Sequence, residues 1–183
     1  MGADSINWQR LMTALNYYNA ETYRTIDLDW TMDVKTSSIT KPIDRKDFFI
    51  NDRALVASGE QSFIEMMITN QLKQGLYSGI TPCFRDEFEL DYLHSNYFMK
   101  VELIDTLNPN KKGLDSMIDC ALKFYSQYLE VRVLEIGDEL YDIIDVKNSI
   151  ELGSYGTRQY KDLKWVFGTG LAEPRLSKVL KLQ

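Results

Sequence analysis

The sequence predicts an α+β domain: one antiparallel sheet with helices packed on its apolar face. Three observations lead there. Apolar residues recur at helical spacing near residues 7–19, 60–73 and 113–129. Other runs alternate with period two, as half-buried strands do. The two kinds of segment cluster instead of alternating strictly, which argues against a doubly wound parallel sheet. The chain has 183 residues, of which 44% are hydrophobic, enough for one domain spanning 1–183 with its own core.

Trp8, Leu11, Met12 and Leu15 give the first amphipathic helix, with Asp4 or Ser5 as its cap. From Ile26 the period changes to two. Ile26, Leu28, Trp30, Met32 and Val34 face one side, and Asp27, Asp29, Thr31, Asp33 and Lys35 the other, which predicts a long strand. Residues 36–53 read as a loop broken at Lys41-Pro42, with a short strand at Phe48 to Ile50. Phe63, Ile64, Met67, Ile68 and Leu72 form the second helical stripe, read as core. Cys83 to Glu87 reads as a strand whose hairpin returns through Tyr97 to Thr106. Leu114, Met117, Ile118, Ala121, Phe124, Tyr125 and Tyr128 make the third helix, with Cys120 in its buried stripe. Val131 to Ile136 is a strand ending in a turn at Gly137-Asp138.

Bulk properties exclude several classes. The net charge is −6, so no overall electrostatic footprint for RNA is present, and Lys111-Lys112 is a solvated pair. Two cysteines make neither a disulfide framework nor a metal site, and His94 is the single histidine. Neither a secretory signal nor an apolar run long enough for a bilayer is visible, which reads as a soluble, cytoplasmic protein without a membrane partner.

The most informative stretch is Cys83-Phe84-Arg85-Asp86-Glu87 with its return strand. On a strand, Arg85 and Glu87 share a face. On the return, Met99, Val101 and Leu103 point one way and Phe98, Lys100 and Glu102 the other. One polar, charged, aromatic surface backed by an apolar one suits an anionic ligand with a flat ring. Cys83 shares the face of Arg85 and reads either as pocket lining or as a small buried filler.

Phe84-Arg85-Asp86-Glu87 resembles motif 2 of the class II aminoacyl-tRNA synthetase catalytic domain. Two further segments resemble that family in the right order. Ser149 to Arg158 is similar to its penultimate active-site strand, and Trp165 to Leu176 to motif 3, where Pro174 suits a helix start. Ala54 to Gln61 resembles the lead-in to the helix before motif 2. Departures are present. Ala172 stands for the third glycine of motif 3 and Pro174 for the acid before its arginine, and Asp29 or Trp30 occupies the place of the motif 1 proline that supports a homodimer.

The resemblance implies ATP and Mg2+ as cofactors, and activation of an amino acid or related small carboxylic acid as an acyl-adenylate. Arg85 would grip the α-phosphate, Phe98 stack on adenine, Glu87 lie beside adenine or amino acid, and Arg175 contact the γ-phosphate. Glu151 would hold the metal, with Glu102 second. Gly153, Ser154, Gly168 and Gly170 would line the amino-acid pocket, and Arg158 would pair with Glu151 or meet the substrate carboxylate. His94 reads as a contact to ATP or an acceptor, or as a plain loop residue. The acceptor is open among tRNA, a carrier protein, ammonia or another small amine. With no domain left over for anticodon reading, tRNA binding should be weak or absent. The alternative is a non-catalytic paralogue that binds nucleotide or amino acid and acts in regulation.

Overall fold

The computed structural model describes residues 5–88 and 90–183. In chain order the elements are α1 (Trp8–Ala20), β1 (Arg24–Thr25), β2 (Thr31–Met32), α2 (Val34–Thr40), β3 (Phe49–Ile50), β4 (Arg53–Leu55) and α3 (Gly59–Ile68). There follow β5 (Leu76–Phe84), β6 (Tyr97–Asp105), α4 (Lys111–Tyr125), β7 (Val131–Gly137), β8 (Leu140–Asp145), β9 (Glu151–Tyr160), β10 (Leu163–Glu173) and α5 (Arg175–Leu180). One seven-stranded sheet has the order β1-β5-β6-β10-β9-β8-β7, and β2, β4 and β3 form a small second sheet. Pairing is antiparallel throughout except at one edge, where β1 joins β5 in parallel over two residues.

Residue parity decides what each sheet face covers. Val101, Leu103 and Val166 point into the larger core with α1 and α4, including Leu11, Tyr18, Met117, Ala121 and Phe124. Their neighbours Ile104, Trp165 and Phe167 point the opposite way, into a smaller core with Phe63, Ile64 and Met67 of α3. The three expected helices are therefore present, but α3 lies on the face opposite α1 and α4. The expectation of one helical face fails because β6 and β10 are apolar on both sides over part of their length. Cys120 sits in the larger core as expected.

Two local expectations are also corrected. The long strand predicted from Ile26 is not formed. Only Thr31–Met32 is strand there, Trp30 is 58% exposed, and Asp33 caps α2 by accepting the Lys35 N–H at 2.8 Å. An extended chain alternates its side chains whether or not it joins a ladder, so period two alone does not prove a strand. The same cap converts part of the predicted loop into helix. At the N-terminus, Asp4 lies outside the described residues, and the cap of α1 is Asn7, whose side chain accepts the Arg10 N–H at 2.9 Å.

The decisive irregularity is where β9 and β10 part. They pair from Leu163/Tyr160 to Gly168/Tyr155 and no further. Beyond that point β10 stays with β6 and β9 with β8, each through a bulge: Gly170 is the extra residue in β10 and Leu152 in β9. Carbonyls that lose ladder partners must find others when buried. Tyr18 Oη donates to the Gly170 carbonyl at 2.9 Å, Tyr155 Oη to Thr169 at 2.5 Å and Tyr125 Oη to Leu152 at 3.0 Å. Burial pushes all three phenols above their ordinary range, which keeps them protonated donors. Among the described residues no helix is long and apolar enough to cross a membrane.

Tyr125→Phe removes one such donor and leaves the Leu152 carbonyl unpaired. It should cost about 1–3 kcal/mol and lower Tm by roughly 3–8 °C. Calorimetric unfolding with an unchanged Tm would show that this carbonyl finds another partner.

Candidate active site

A cleft of about 370 Å³ opens on the α3 side of the sheet, beside the gap between β9 and β10. Its wall is built by the loop after α2, the start of α3, the β5–β6 hairpin, β9, and the junction of β10 with α5. The wall carries seven basic side chains (Lys41, Arg45, Lys46, Arg85, Lys100, Arg158, Arg175) against four acidic ones (Glu60, Asp86, Glu87, Glu151). On a chain of net charge −6, that local excess marks a site for an anion.

Arg85, Glu87, Phe98, Glu151, Ser154, Arg158 and Arg175, all singled out in the sequence, share this one wall with His94. Arg85 is not on a strand. β5 ends at Phe84, though the Arg85 N–H still reaches the Asn96 carbonyl at 3.0 Å. The Asn96 side chain then takes the Glu87 N–H at 3.2 Å, which ends the backbone ladder. Arg85 Nε donates to the Ala57 carbonyl at 3.1 Å, and its guanidinium lies 4.9 Å from the centre of the Phe98 ring. One donor thus fixes the group, which itself lines the cleft. Among the described residues Arg85 forms no ion pair.

Glu87 pairs with Arg45 at 3.3 Å, and Arg45 lies 3.9 Å over the Phe88 ring while donating to the Asp86 carbonyl. This joins the loop after α2 to the hairpin. His94 stands 2.9 Å from Asp91, and hydrogen bonds from His94 hold the Asp91 carboxyl down at about 2.

The inner end of the cleft is a buried charge network. Glu60 is almost wholly buried in the first turn of α3. It accepts from Trp165 Nε1 at 2.7 Å and from Arg158, whose guanidinium lies 4.1 Å over Phe167. Burial pushes the Glu60 carboxyl up, and Arg158 pulls it back. The expected pairing of Arg158 with Glu151 is replaced by this one, because Arg158 and Glu60 face each other across the cleft.

Glu102 is also buried. It accepts from Ser58 Oγ at 2.6 Å and lies 2.9 Å from Lys100 Nζ, but with its Oε1 outside hydrogen-bond angles. Lys100 thus stands in the wall and Glu102 behind it, so the two proposed metal carboxylates do not share the cleft surface. The acid that does lie beside Glu151 is Asp142. Ser154 Oγ is 2.6 Å from Asp142 Oδ1 and 3.4 Å from Glu151 Oε1. Burial raises the Asp142 carboxyl, and Glu151 adds to the effect. Arg175 Nη1 reaches both the Glu151 carbonyl and its Oε2 at 3.2 Å. Among the described residues no group of three His, Cys, Asp or Glu converges on a metal position.

The glycines serve packing. A Cβ at Gly168 would meet Tyr155 at 2.5 Å and Met117 at 2.6 Å, and one at Gly170 would meet Tyr18 at 2.8 Å, all on the α1 and α4 side. At Gly153 it would meet the Thr169 Cβ at 2.7 Å. None of the three is in the cleft wall. Cys83 is the small buried filler, its thiol pushed up to about 11 by burial. Glu60, Arg45 and Asp142 were not singled out from sequence. An acid beside a helical apolar stripe was a signal for Glu60, whereas Arg45 sits in an irregular loop with no pattern to mark it.

The chain has the fold of the class II aminoacyl-tRNA synthetase catalytic domain, as superposition on solved structures shows. The chain superposes on the cytoplasmic serine–tRNA ligase of Naegleria fowleri, solved with AMP (TM-score 0.72, 16% identity, 92% of this chain and 46% of that one). It superposes on the seryl-tRNA synthetase of Pyrococcus horikoshii, solved with ATP (TM-score 0.73, 16% identity, 93% and 48%). The pyrrolysyl-tRNA synthetase PylSc of Desulfitobacterium hafniense matches at TM-score 0.72 and 14% identity, over 97% of this chain and 70% of that one. The chain therefore spans about half the length of the two seryl enzymes. Neither a family model nor any curated protein sequence matches it.

Arg158→Met leaves Glu60 buried without its cation. It should destabilise the protein at pH 7 by about 3 kcal/mol, the low end for a broken buried pair because Arg158 keeps part of its hydration. A carboxyl whose folded pKa is raised gains relative stability as pH falls, since protonated Glu60 needs no counter-charge. The deficit should therefore shrink on acidification toward the ordinary carboxylate range. Urea unfolding from pH 7 to 4 that showed a constant deficit would assign the loss to packing alone.

Proposed function

We propose that the cleft binds ATP and activates a small carboxylic acid, an amino acid in the first instance, as an acyl-adenylate. The observation that carries this reading is one cleft wall holding both Arg85 against Phe98 and Arg175 on Glu151. A guanidinium beside an aromatic ring suits a phosphate next to a purine. The chemistry needs no protein nucleophile: Cys83 is buried outside the cleft wall, and His94, in the wall, is paired with Asp91.

In this reading a carboxylate oxygen of the acid attacks the α-phosphorus of ATP. The new bond is C(O)O–P, the bond to the bridging oxygen breaks, and pyrophosphate leaves. Arg85 stabilises charge on the α-phosphate and Arg175 on the γ-phosphate. Magnesium would add charge neutralisation across the phosphates, and Glu151 with Asp142 and Ser154 would hold it. Two carboxylates bridged by one hydroxyl fit an ion that prefers few protein ligands plus phosphate oxygens. Neither Glu102, behind Lys100, nor Asp142, behind Ser154, is in the cleft wall, and Asp142 is preferred because it shares the Ser154 hydroxyl with Glu151.

The acceptor is a small amine or a carrier protein, with weak or no binding of tRNA by this chain, in line with its net charge. A homodimer and a cytoplasmic setting belong to the same reading. A second reading has one observation in its favour: the Arg158–Glu60 pair and the Phe167 stack already occupy the inner end of the cleft. That would suit a nucleotide-binding regulatory paralogue without turnover.

Calorimetry with Mg-ATP should show binding in the wild type and a loss of about tenfold or more in Arg85→Ala, the worth of a charge-assisted bond. Equal affinity would remove Arg85 from the site. Pyrophosphate exchange screened over amino acids separates the two readings. Glu151→Gln should nearly abolish exchange with Tm about unchanged, since Glu151 is partly solvated. ATP binding without exchange for any acid would favour the regulatory paralogue.

A further inference from the structure

We infer that Arg10, on the first helix and outside the cleft, is a positioning residue that sets the place of Arg175. α5 has six residues and its Pro174 cap offers no side-chain hydrogen bond. A helix so short has no stability of its own, so tertiary contacts fix its direction. On the core side, Leu176 and Val179 supply those contacts. Polar contacts come from Tyr92, whose Oη donates to the Lys178 carbonyl at 3.4 Å, and from α1. Glu173, the last residue of β10, has a wholly buried carboxylate that requires a counter-charge. Arg10 Nη1 supplies it, donating to Glu173 Oε1 at 2.5 Å. The same nitrogen lies 2.9 Å from Ser177 Oγ, and the Ser177 N–H reaches Glu173 Oε2 at 3.4 Å. The Tyr128 ring backs the guanidinium at 5.4 Å.

Arg10 thus clasps residues 173 and 177, the two positions flanking Arg175 by two on each side. With both flanks held, the Arg175 side chain is left to project the other way, onto the Glu151 carbonyl and carboxylate. The acid expected directly before the arginine is Pro174 in this chain. Glu173, one residue earlier, provides a carboxylate that turns inward to α1 instead. The positional claim rests on the geometry of this clasp. Its consequence for ATP rests on the nucleotide-binding reading.

The experiment follows the Arg175 Nε–Hε NMR signal, the hydrogen exchange of α5 amides and Mg-ATP affinity. It compares wild type, Arg10→Met, Arg10→Lys and Leu15→Ala, the last an apolar truncation on the same helix. In Arg10→Met the Arg175 signal should move toward that of free arginine, α5 amides should exchange about tenfold faster, and ATP affinity should fall about fivefold or more. Arg10→Lys should restore part of each, and Leu15→Ala should leave the Arg175 signal in place. If Arg10→Met does not fold, the Arg10→Met/Glu173→Met double variant removes both charges and is read the same way. An Arg175 signal and α5 protection equal to wild type in the charge-free variants would overturn the inference. So would an equal response to Leu15→Ala. If the signal responds while wild type fails to bind ATP, the clasp stands and the nucleotide reading falls.

Discussion

Everything at the candidate site depends on the separation of β9 from β10 after Gly168. A continuous ladder would bring Glu151 and Ser154 level with residues of β10 and close the floor of the cleft. Instead each strand keeps its outer neighbour and bulges once, at Leu152 and at Gly170. The gap is stable because its buried carbonyls are not left unpaired. Three tyrosine hydroxyls from the core side and the Arg175 guanidinium from the cleft side take them. An unpaired buried carbonyl costs on the order of 1–3 kcal/mol, so several together would close the gap or unfold it.

The glycines belong to the same construction. Gly168 lets Tyr155 and Met117 come within what would be Cβ contact, and Gly170 lets Tyr18 do so. Their contribution is to bring the tyrosines near enough to reach the parted strands. A glycine-spaced strand therefore need not mark a substrate pocket. Here it marks the close approach of helices to the opposite sheet face.

Charge is distributed to match. The chain is acidic overall, yet the cleft wall carries more bases than acids, and the buried acids near it are each paired: Glu102 behind Lys100, Glu60 under Arg158, Glu173 under Arg10. Burying a carboxylate is costly unless a cation and hydrogen bonds attend it, and each of these has a cation. Among the described residues Arg85 is a wall cation held by a carbonyl and a ring and by no ion pair.

Spacing along the chain was enough for the elements with strong periodicity and for the residues whose order is their signature. The stripes of α1, α3 and α4, the β5–β6 hairpin, and the convergence of Arg85, Phe98, Glu151, Arg158 and Arg175 were legible because local spacing fixes which way side chains point. Partner choice was not legible. Glu102 and Asp142 are equally plausible carboxylates in the sequence. Only the fold puts one behind Lys100 and the other beside Ser154. Arg158 finds Glu60, 98 residues earlier in the chain, and Arg10 finds Glu173, 163 residues later. The face occupied by α3 was likewise settled by tertiary contact, whereas the Ile26 strand is shortened by a local cap, Asp33 on the Lys35 N–H. Periodicity reports the direction of a side chain from its own backbone, whereas pairing depends on distance in space, which the chain's own spacing does not encode.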